Sequence, residues 1–121
     1  MTAAERIWRS AAESARAAGN DRLAAWFVNR LAGALAEAGA WPKADTAYGE
    51  ALAALERESD HPAAAELLRH WGKTLAKRAA WDTAIERYQK ALELDRAAAP
   101  ENLAAARVLD AIGVTVAKRG D

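Results

Sequence analysis

The chain has 121 residues, of which 52% are hydrophobic, and its 17 Lys+Arg balance 17 Asp+Glu, giving a formal net charge of zero. A chain of this length predicts one domain, and the balanced charge argues against nucleic acid or an anionic membrane as a partner. Since there is no cysteine, disulfides, thiolate nucleophiles and cysteine-based metal sites are excluded, which fits a reducing, cytoplasmic setting.

The distribution of apolar and charged residues argues against a signal peptide and a membrane span. The first residues, MTAAERIWRS, carry charges throughout and lack the apolar core of a signal peptide. No stretch approaches the roughly 20 uninterrupted apolar residues that a membrane span needs. The sequence therefore predicts a soluble protein with no membrane partner.

Apolar residues recur at helical spacing along the whole chain, and nothing in it is typical of a strand. Gly19-Asn20-Asp21 ends one helix and caps the next, while proline at 42, 62 and 100 falls where the first turn of a helix tolerates it. The predicted helices span residues near 2–18, 21–38, 42–58, 62–78, 82–97 and 100–119.

The chain repeats itself at an offset of forty residues. This offset aligns three aromatic residues, Trp8, Tyr48 and Tyr88, each of which is flanked by alanine at matched spacing. Segments that begin at Phe27, Leu67 and Val108 form a second aligned set, in which the third copy needs a slip of one residue to pair Gly113 with Gly72. Each repeat therefore consists of two helices, which we call the first-type helix and the second-type helix.

The best-preserved copy has Trp71-Gly72 and Leu75 on its first-type helix, and its second-type helix reads WDTAIERYQKALELD. This pattern resembles the tetratricopeptide repeat. In that family the first helix carries a large apolar residue followed by a small one, and the second helix carries alanine, an aromatic residue and alanine in that order. The resemblance covers nearly all of the chain. It implies an all-α superhelix, or solenoid, of about six helices in antiparallel hairpins, forming a single domain over residues 1–121.

Two features depart from the basic family pattern. The family's basic repeat has 34 residues, whereas this one has forty, as in the repeats of the kinesin light chain and of bacterial regulatory proteins, which it resembles. The usual proline after the second-type helix is also displaced, with Arg96 near that point and the proline at Pro100.

The order of the helices allows two hypotheses. The first helix of the chain is of the second type and the last is of the first type, so the chain is either part of a longer array or a short protein with capping end helices. In both cases Trp8, or the stripe of Ile112 and Val116, is a candidate contact for a homodimer through the terminal helices.

The resemblance implies a function without catalysis, in which a partner protein or peptide binds in a concave groove lined by the first-type helices. The basic residues of segment 66–78 favour an acidic peptide, with Trp26 as an aromatic anchor. The competing interpretation is a solvated basic helix face and a buried Trp26. The positions implied as binding residues are Trp26, Asn29, Arg69, Lys73, Arg107 and Asp110.

No arrangement of residues predicts an enzyme. The only histidines are His61 and His70, too few with the available carboxylates for a zinc site, and no glycine-rich loop follows a strand. We therefore expect no metal, no cofactor and no catalytic residue. The alternative function is a structural segment that self-associates or that regulates a larger protein from within.

Overall fold

The computed structural model describes residues 2–98 and 103–120. These residues form six α-helices and no strand, so the all-α prediction is confirmed. The helices are α1 (Ala3–Ala17), α2 (Asp21–Glu37), α3 (Trp41–Arg57), α4 (His61–Lys77), α5 (Trp81–Ala98) and α6 (Leu103–Arg119). The predicted bounds agree within one residue, except that the predicted start of the last helix, with Pro100, lies outside the described residues.

The helices belong to two compact units, Met1–Asp60 and His61–Asp121. In the first unit α2 packs against both α1 and α3, and in the second unit α5 packs against both α4 and α6. Neighbouring helices of each unit therefore form antiparallel hairpins, as the two-helix repeat requires. The continuity of one array over residues 1–121 stays a prediction.

Side chains and proline fix where the helices begin. Thr2 caps α1, since its side chain accepts a hydrogen bond from the backbone N–H of Glu5. The Glu5 carboxylate in turn accepts a hydrogen bond from the backbone N–H of Thr2. Asn20 caps α2 by accepting from the backbone N–H of Leu23 at 3.0 Å. Pro42 lies in the first turn of α3, where its missing N–H costs no helical hydrogen bond.

The helices end at positions spaced by twenty residues. Gly19, Gly39, Ser59 and Ala79 all have positive φ, at 76°, 77°, 52° and 62°. The residue after each one donates its N–H back to a carbonyl five residues earlier, as in the 3.0 Å bond from Ala80 to Leu75. The same left-handed turn thus closes α1 to α4, whether or not glycine is present.

Small residues let the helices of a hairpin approach each other. Tyr48 and Tyr88, which the forty-residue offset aligns, are 2% and 6% exposed. A Cβ atom added to Gly72 would lie 2.8 Å from the ring of Tyr88, and one added to Gly33 would lie 3.9 Å from the Tyr48 hydroxyl. The ring of Tyr88 on α5 therefore packs directly over Gly72 of α4, whereas the Tyr48 hydroxyl on α3 only borders Gly33 of α2.

The rest of the core is aliphatic and largely built from alanine. The fully buried aliphatic side chains with the largest volumes are those of Val28, Leu31, Leu67, Leu68, Leu75 and Val108.

No helix of the described residues combines the length and apolar character needed to cross a bilayer.

Candidate functional site

The first-type helix α4 divides into a buried face and an exposed face. Its buried side chains include those of Leu67, Leu68, Trp71 and Leu75, whose spacing follows the helical repeat. Its exposed side chains, at the same spacing on the other side, are those of Glu66, His70, Lys73 and Lys77. We call this second set the α4 exposed face.

Arg69, a predicted binding residue, does not belong to the exposed face. Its Nη1 atom lies 2.7 Å from Oδ2 of Asp95 on α5, and the two side chains are 27% and 6% exposed. The guanidinium is thus directed into the α4–α5 hairpin, where a buried carboxylate compensates its charge.

Lys73, the other predicted residue of α4, is exposed, and so is Lys77 one turn further along. Within the described residues, neither ammonium group forms an ion pair with a carboxylate. The positive charge that α4 presents to solvent is therefore carried by Lys73 and Lys77, with Glu66 as the carboxylate on the same face.

Trp26 is half-exposed, with 50% of its surface accessible, and it lies in an aromatic cluster of the first unit. Its ring meets those of Trp8 and Phe27 edge-on, at centroid distances of 6.3 and 5.3 Å. The Arg30 guanidinium lies 5.6 Å from the Trp26 centroid and 5.8 Å from that of Trp8. Trp26 is therefore neither fully buried nor isolated, and Arg30 adds a cation that its spacing of four residues from Trp26 could have indicated.

Asn29 lies one turn from Trp26 on α2 and is partly buried. Its Oδ1 atom is buried and has no hydrogen-bond partner in the described part of the chain. A buried amide oxygen without a hydrogen-bond partner lowers the stability of the fold, so packing of α2 and not this oxygen holds Asn29 in place.

Arg107 and Asp110 are both exposed on α6, a first-type helix of the second unit. They stand one turn apart with opposite charges, so this part of α6 has no net charge. The six predicted positions thus fall on three helices, with Trp26 and Asn29 in the first unit and the other four in the second.

Sequence reasoning missed Arg87, which precedes the aligned tyrosine of α5. Its guanidinium carbon lies 4.2 Å from the centroid of the Trp71 ring, a cation–π contact between α5 and α4. Its Nε atom is buried with no hydrogen-bond partner among the described residues. The contact strengthens the same hairpin that Arg69 and Asp95 connect.

Two further properties of the described residues concern metal binding and titration. No group of three His, Cys, Asp or Glu side chains in residues 2–98 and 103–120 is arranged to hold a metal ion. Burial raises the pKa of the Tyr88 phenol above its ordinary value, because the charged form is desolvated in the hairpin. Tyr88 is a packing residue, and this shift reports its burial.

Comparison with known proteins adds one finding. A family model for the tetratricopeptide repeat matches residues 22–97, which contain Trp26, Asn29, Arg69 and Lys73, while Arg107 and Asp110 lie beyond the match. The match confirms the resemblance drawn from the residues. No curated protein and no solved structure matches the chain.

Proposed function

Because this chain belongs to the tetratricopeptide repeat family, whose members typically mediate protein–protein interactions without catalysis, we propose that it is a scaffold that binds a peptide or partner protein. The bound segment is acidic and extended or helical, and it lies along the first-type helix α4 of the second unit. The proposed location is the cytoplasm, because a chain with no cysteine needs no oxidising compartment for disulfide formation.

The observation that carries the proposal is the charge of the α4 exposed face. Lys73 and Lys77 are exposed one turn apart, and within the described residues no carboxylate pairs with them. Ammonium groups without partners attract carboxylates over a range of about 10 Å at 0.1 M salt. Two such groups on one helix favour a ligand with acidic residues at matching spacing.

The ion pair of Arg69 and Asp95 changes which residues should contact the ligand. Because the Arg69 guanidinium is engaged at 2.7 Å with Asp95, its part in binding is to hold α4 against α5. Lys73 and Lys77 are the ligand contacts on this helix. Arg107 contributes a further positive charge on α6, with Asp110 limiting the region over which acidic side chains are favoured.

Trp26 supports an apolar component of binding. Half of its surface is accessible, and the Arg30 guanidinium beside it offers a donor for a carboxylate next to an apolar side chain. Tryptophan and arginine are the residue types that contribute most to the free energy of binding at interfaces. A ligand segment bound at the first unit would therefore present a large apolar side chain beside a carboxylate.

A fluorescence anisotropy titration tests the proposal with two labelled peptides of equal length, one alternating Glu and Leu and one alternating Gln and Leu. The wild-type protein should bind the Glu peptide, and more weakly as salt is raised. The double variant Lys73→Glu, Lys77→Glu should lose about tenfold or more in affinity, equivalent to about 1.4 kcal/mol.

The matched control is the double variant Lys43→Glu, Lys90→Glu, which changes the net charge equally but on the second-type helices α3 and α5. Its side chains are 65% and 52% exposed, so their replacement leaves the cores intact. Equal losses in the two double variants, or equal binding of the Glu and Gln peptides, would show that the α4 exposed face does not select an acidic ligand.

A further inference from the structure

Among the four side chains of the α4 exposed face, His70 is the one that can change its charge near neutral pH. Its imidazole is exposed, and within the described residues it forms no hydrogen bond and no ion pair. Histidine ordinarily exchanges its proton between about pH 5 and pH 8, whereas lysine stays charged throughout this range. The charge that α4 presents to a ligand therefore depends on pH through residue 70.

The helical repeat aligns His70 with the two lysines of this face. Residues three and seven positions apart return to nearly the same side of an α-helix, so Lys73 lies one turn after His70 and Lys77 two turns after it. At a rise of about 1.5 Å per residue, the three groups extend over about 10 Å along the helix axis. A protonated His70 thus extends the positive region of Lys73 and Lys77 by one turn toward the start of α4.

Glu66 is the charged neighbour of His70 on the other side. It stands four residues before His70, so its carboxylate attracts a protonated imidazole across one turn of the helix. Both side chains are exposed, and a solvated pair of this kind contributes little free energy. The protonated His70 therefore remains available to a carboxylate of a ligand.

The charged groups of α5, which packs against α4 in the second unit, have partners of their own beside residue 70. The Asp95 carboxylate pairs with Arg69 at 2.7 Å, and the Arg87 guanidinium carbon lies 4.2 Å from the centroid of the Trp71 ring. Because Arg69 compensates the charge of Asp95, this carboxylate does not serve His70 as a counter-charge. The other acidic side chains of α5 are exposed to solvent, which screens them, and they are those of Asp82, Glu86 and Glu93.

We propose that His70 is a binding residue of the α4 exposed face, and that its protonation strengthens the binding of an acidic ligand as the pH falls from about 8 to about 5.5. This inference rests on the acidic ligand of the proposed function, to which it adds a third contact and a means of regulation. A neutral imidazole donates one hydrogen bond, whereas a protonated one donates from both nitrogens and attracts a carboxylate by its charge. The affinity for an acidic ligand therefore follows the acidity of the surroundings.

The coupling between proton and ligand is reciprocal. If the protonated form of His70 binds the acidic ligand more tightly, the bound ligand must equally favour protonation of His70. Formation of the complex therefore takes up a fraction of a proton from solution at intermediate pH. A purely structural role of His70 would alter the affinity without this proton uptake.

Fluorescence anisotropy with the labelled Glu–Leu peptide, at constant ionic strength and between about pH 5.5 and pH 8, tests the proposal. The carboxyl groups of the peptide have an ordinary pKa of about 4.3, so they stay largely ionised over this range. The wild-type protein should bind about threefold more tightly at the lower pH, which is the size expected for one solvated charge pair. His70→Gln should lose this increase, and His70→Lys should show the higher affinity at both pH values.

His61→Gln is the matched control, because His61 is the other histidine of the chain. His61 is exposed at the first residue of α4, about 18 Å along the helix axis from Lys73. This separation exceeds the range of about 8 Å over which exposed charges interact at physiological salt. The replacement should therefore leave the pH dependence of the affinity unchanged.

Isothermal titration calorimetry measures the proton uptake directly. The Glu–Leu peptide is titrated at about pH 6.5 in two buffers that differ in their heat of ionisation. The difference in the observed heats gives the number of protons exchanged with the buffer. The wild-type protein should take up a fraction of a proton for each peptide bound, and His70→Gln should take up close to none.

Three results would overturn the proposal, and they separate it from the proposed function. Equal affinity of the wild type at the two pH values, with the loss in Lys73→Glu, Lys77→Glu retained, would remove the role of His70 and leave the acidic ligand. A pH dependence that persists in full in His70→Gln would assign the effect to another group. Failure of the wild type to bind the Glu–Leu peptide at any pH in the range would overturn the acidic ligand together with the role of His70.

Discussion

Arg69 on α4 and Asp95 on α5 form an ion pair with an Nη1–Oδ2 distance of 2.7 Å, in which the carboxylate is 6% exposed and the guanidinium side chain 27%. Twenty-six residues separate the two along the chain, and the hairpin brings them together. The pair converts a residue that looks like a ligand contact into one that stabilises the repeat. It also determines which substitutions can report on binding, since charge reversal at residue 69 would place two carboxylates together inside the hairpin.

The first prediction concerns the cost of breaking this pair. Arg69→Met keeps the aliphatic part of the side chain but removes the guanidinium, which leaves the Asp95 carboxylate buried without a counter-charge. We expect the free energy of unfolding to fall by about 2 kcal/mol, less than for a fully buried pair because Arg69 is partly solvated. Urea unfolding followed by circular dichroism measures the change.

Arg9 and Glu50 supply the control for that measurement. Their side chains form an ion pair at 2.8 Å in the first unit but are 34% and 39% exposed. Arg9→Met should therefore lower the free energy of unfolding by less than about 1 kcal/mol. Equal losses in the two variants would contradict a structural role specific to Arg69.

The second prediction concerns the contact of Gly72 with Tyr88. Because a methyl group at residue 72 would lie 2.8 Å from a ring carbon of Tyr88, Gly72→Ala should lower the free energy of unfolding by about 1 to 2 kcal/mol, despite the higher helix propensity of alanine. Gly49→Ala, where the methyl group meets nothing within 4 Å, should raise it by up to about 1 kcal/mol.

A double variant identifies the origin of the loss at Gly72. If the clash with the ring is responsible, Gly72→Ala should cost less in a Tyr88→Leu background than in the wild type, and the double-mutant cycle should show coupling between the sites. Additive losses would place the strain elsewhere.

The third prediction concerns the left-handed residue at the end of α4. Ala79 has a φ of 62°, a conformation in which its Cβ crowds the backbone, and glycine adopts it without this penalty. Ala79→Gly should therefore raise the midpoint of thermal unfolding, corresponding to about 1 kcal/mol. The opposite change at the equivalent turn, Gly39→Ala, should lower it by a similar amount, since Gly39 has a φ of 77°.

The fourth prediction concerns alkaline pH. Burial raises the pKa of Tyr88 above the value of 10.0 that it has when solvated, so above that pH the folded chain retains a proton that the unfolded chain releases. Stability is then fully present below about pH 10 and declines as pH rises through the folded pKa. Tyr88→Phe cannot ionise, so between pH 9 and pH 11 it should lose less of its unfolding free energy than the wild type does.

Much of the local structure was predictable from the sequence. Gly19-Asn20-Asp21 predicted a helix end and a cap, and Gly19 adopts positive φ while Asn20 accepts the capping hydrogen bond. The forty-residue offset predicted that Tyr48 and Tyr88 are equivalent, and both are buried. These features depend on interactions within a few residues or on a periodic pattern, which the sequence displays directly.

The environment of individual side chains was less predictable. Ser59 and Ala79 take the left-handed conformation although neither residue type favours it. At Ala79 the reason is that α4 and α5 pack into one hairpin, so the chain must reverse between them. Arg87 gave no signal, since its contact with Trp71 exists only when α4 and α5 pack. The exposed fraction of Trp26 likewise depends on Trp8 of α1, which an isolated α2 would not contact.

The sequence by itself determined the helices, their approximate ends, the two-helix repeat and the family, because helical periodicity, caps and a fixed repeat length are local or periodic properties. Only the tertiary structure decided which charges are compensated within the chain and which remain exposed to solvent. Arg69 and Lys73 are both basic residues one turn apart on one helix, so the sequence does not distinguish their roles. In the structure, Asp95 forms an ion pair with Arg69. The physical reason is that burial and charge compensation depend on distances between helices, and those distances come from packing.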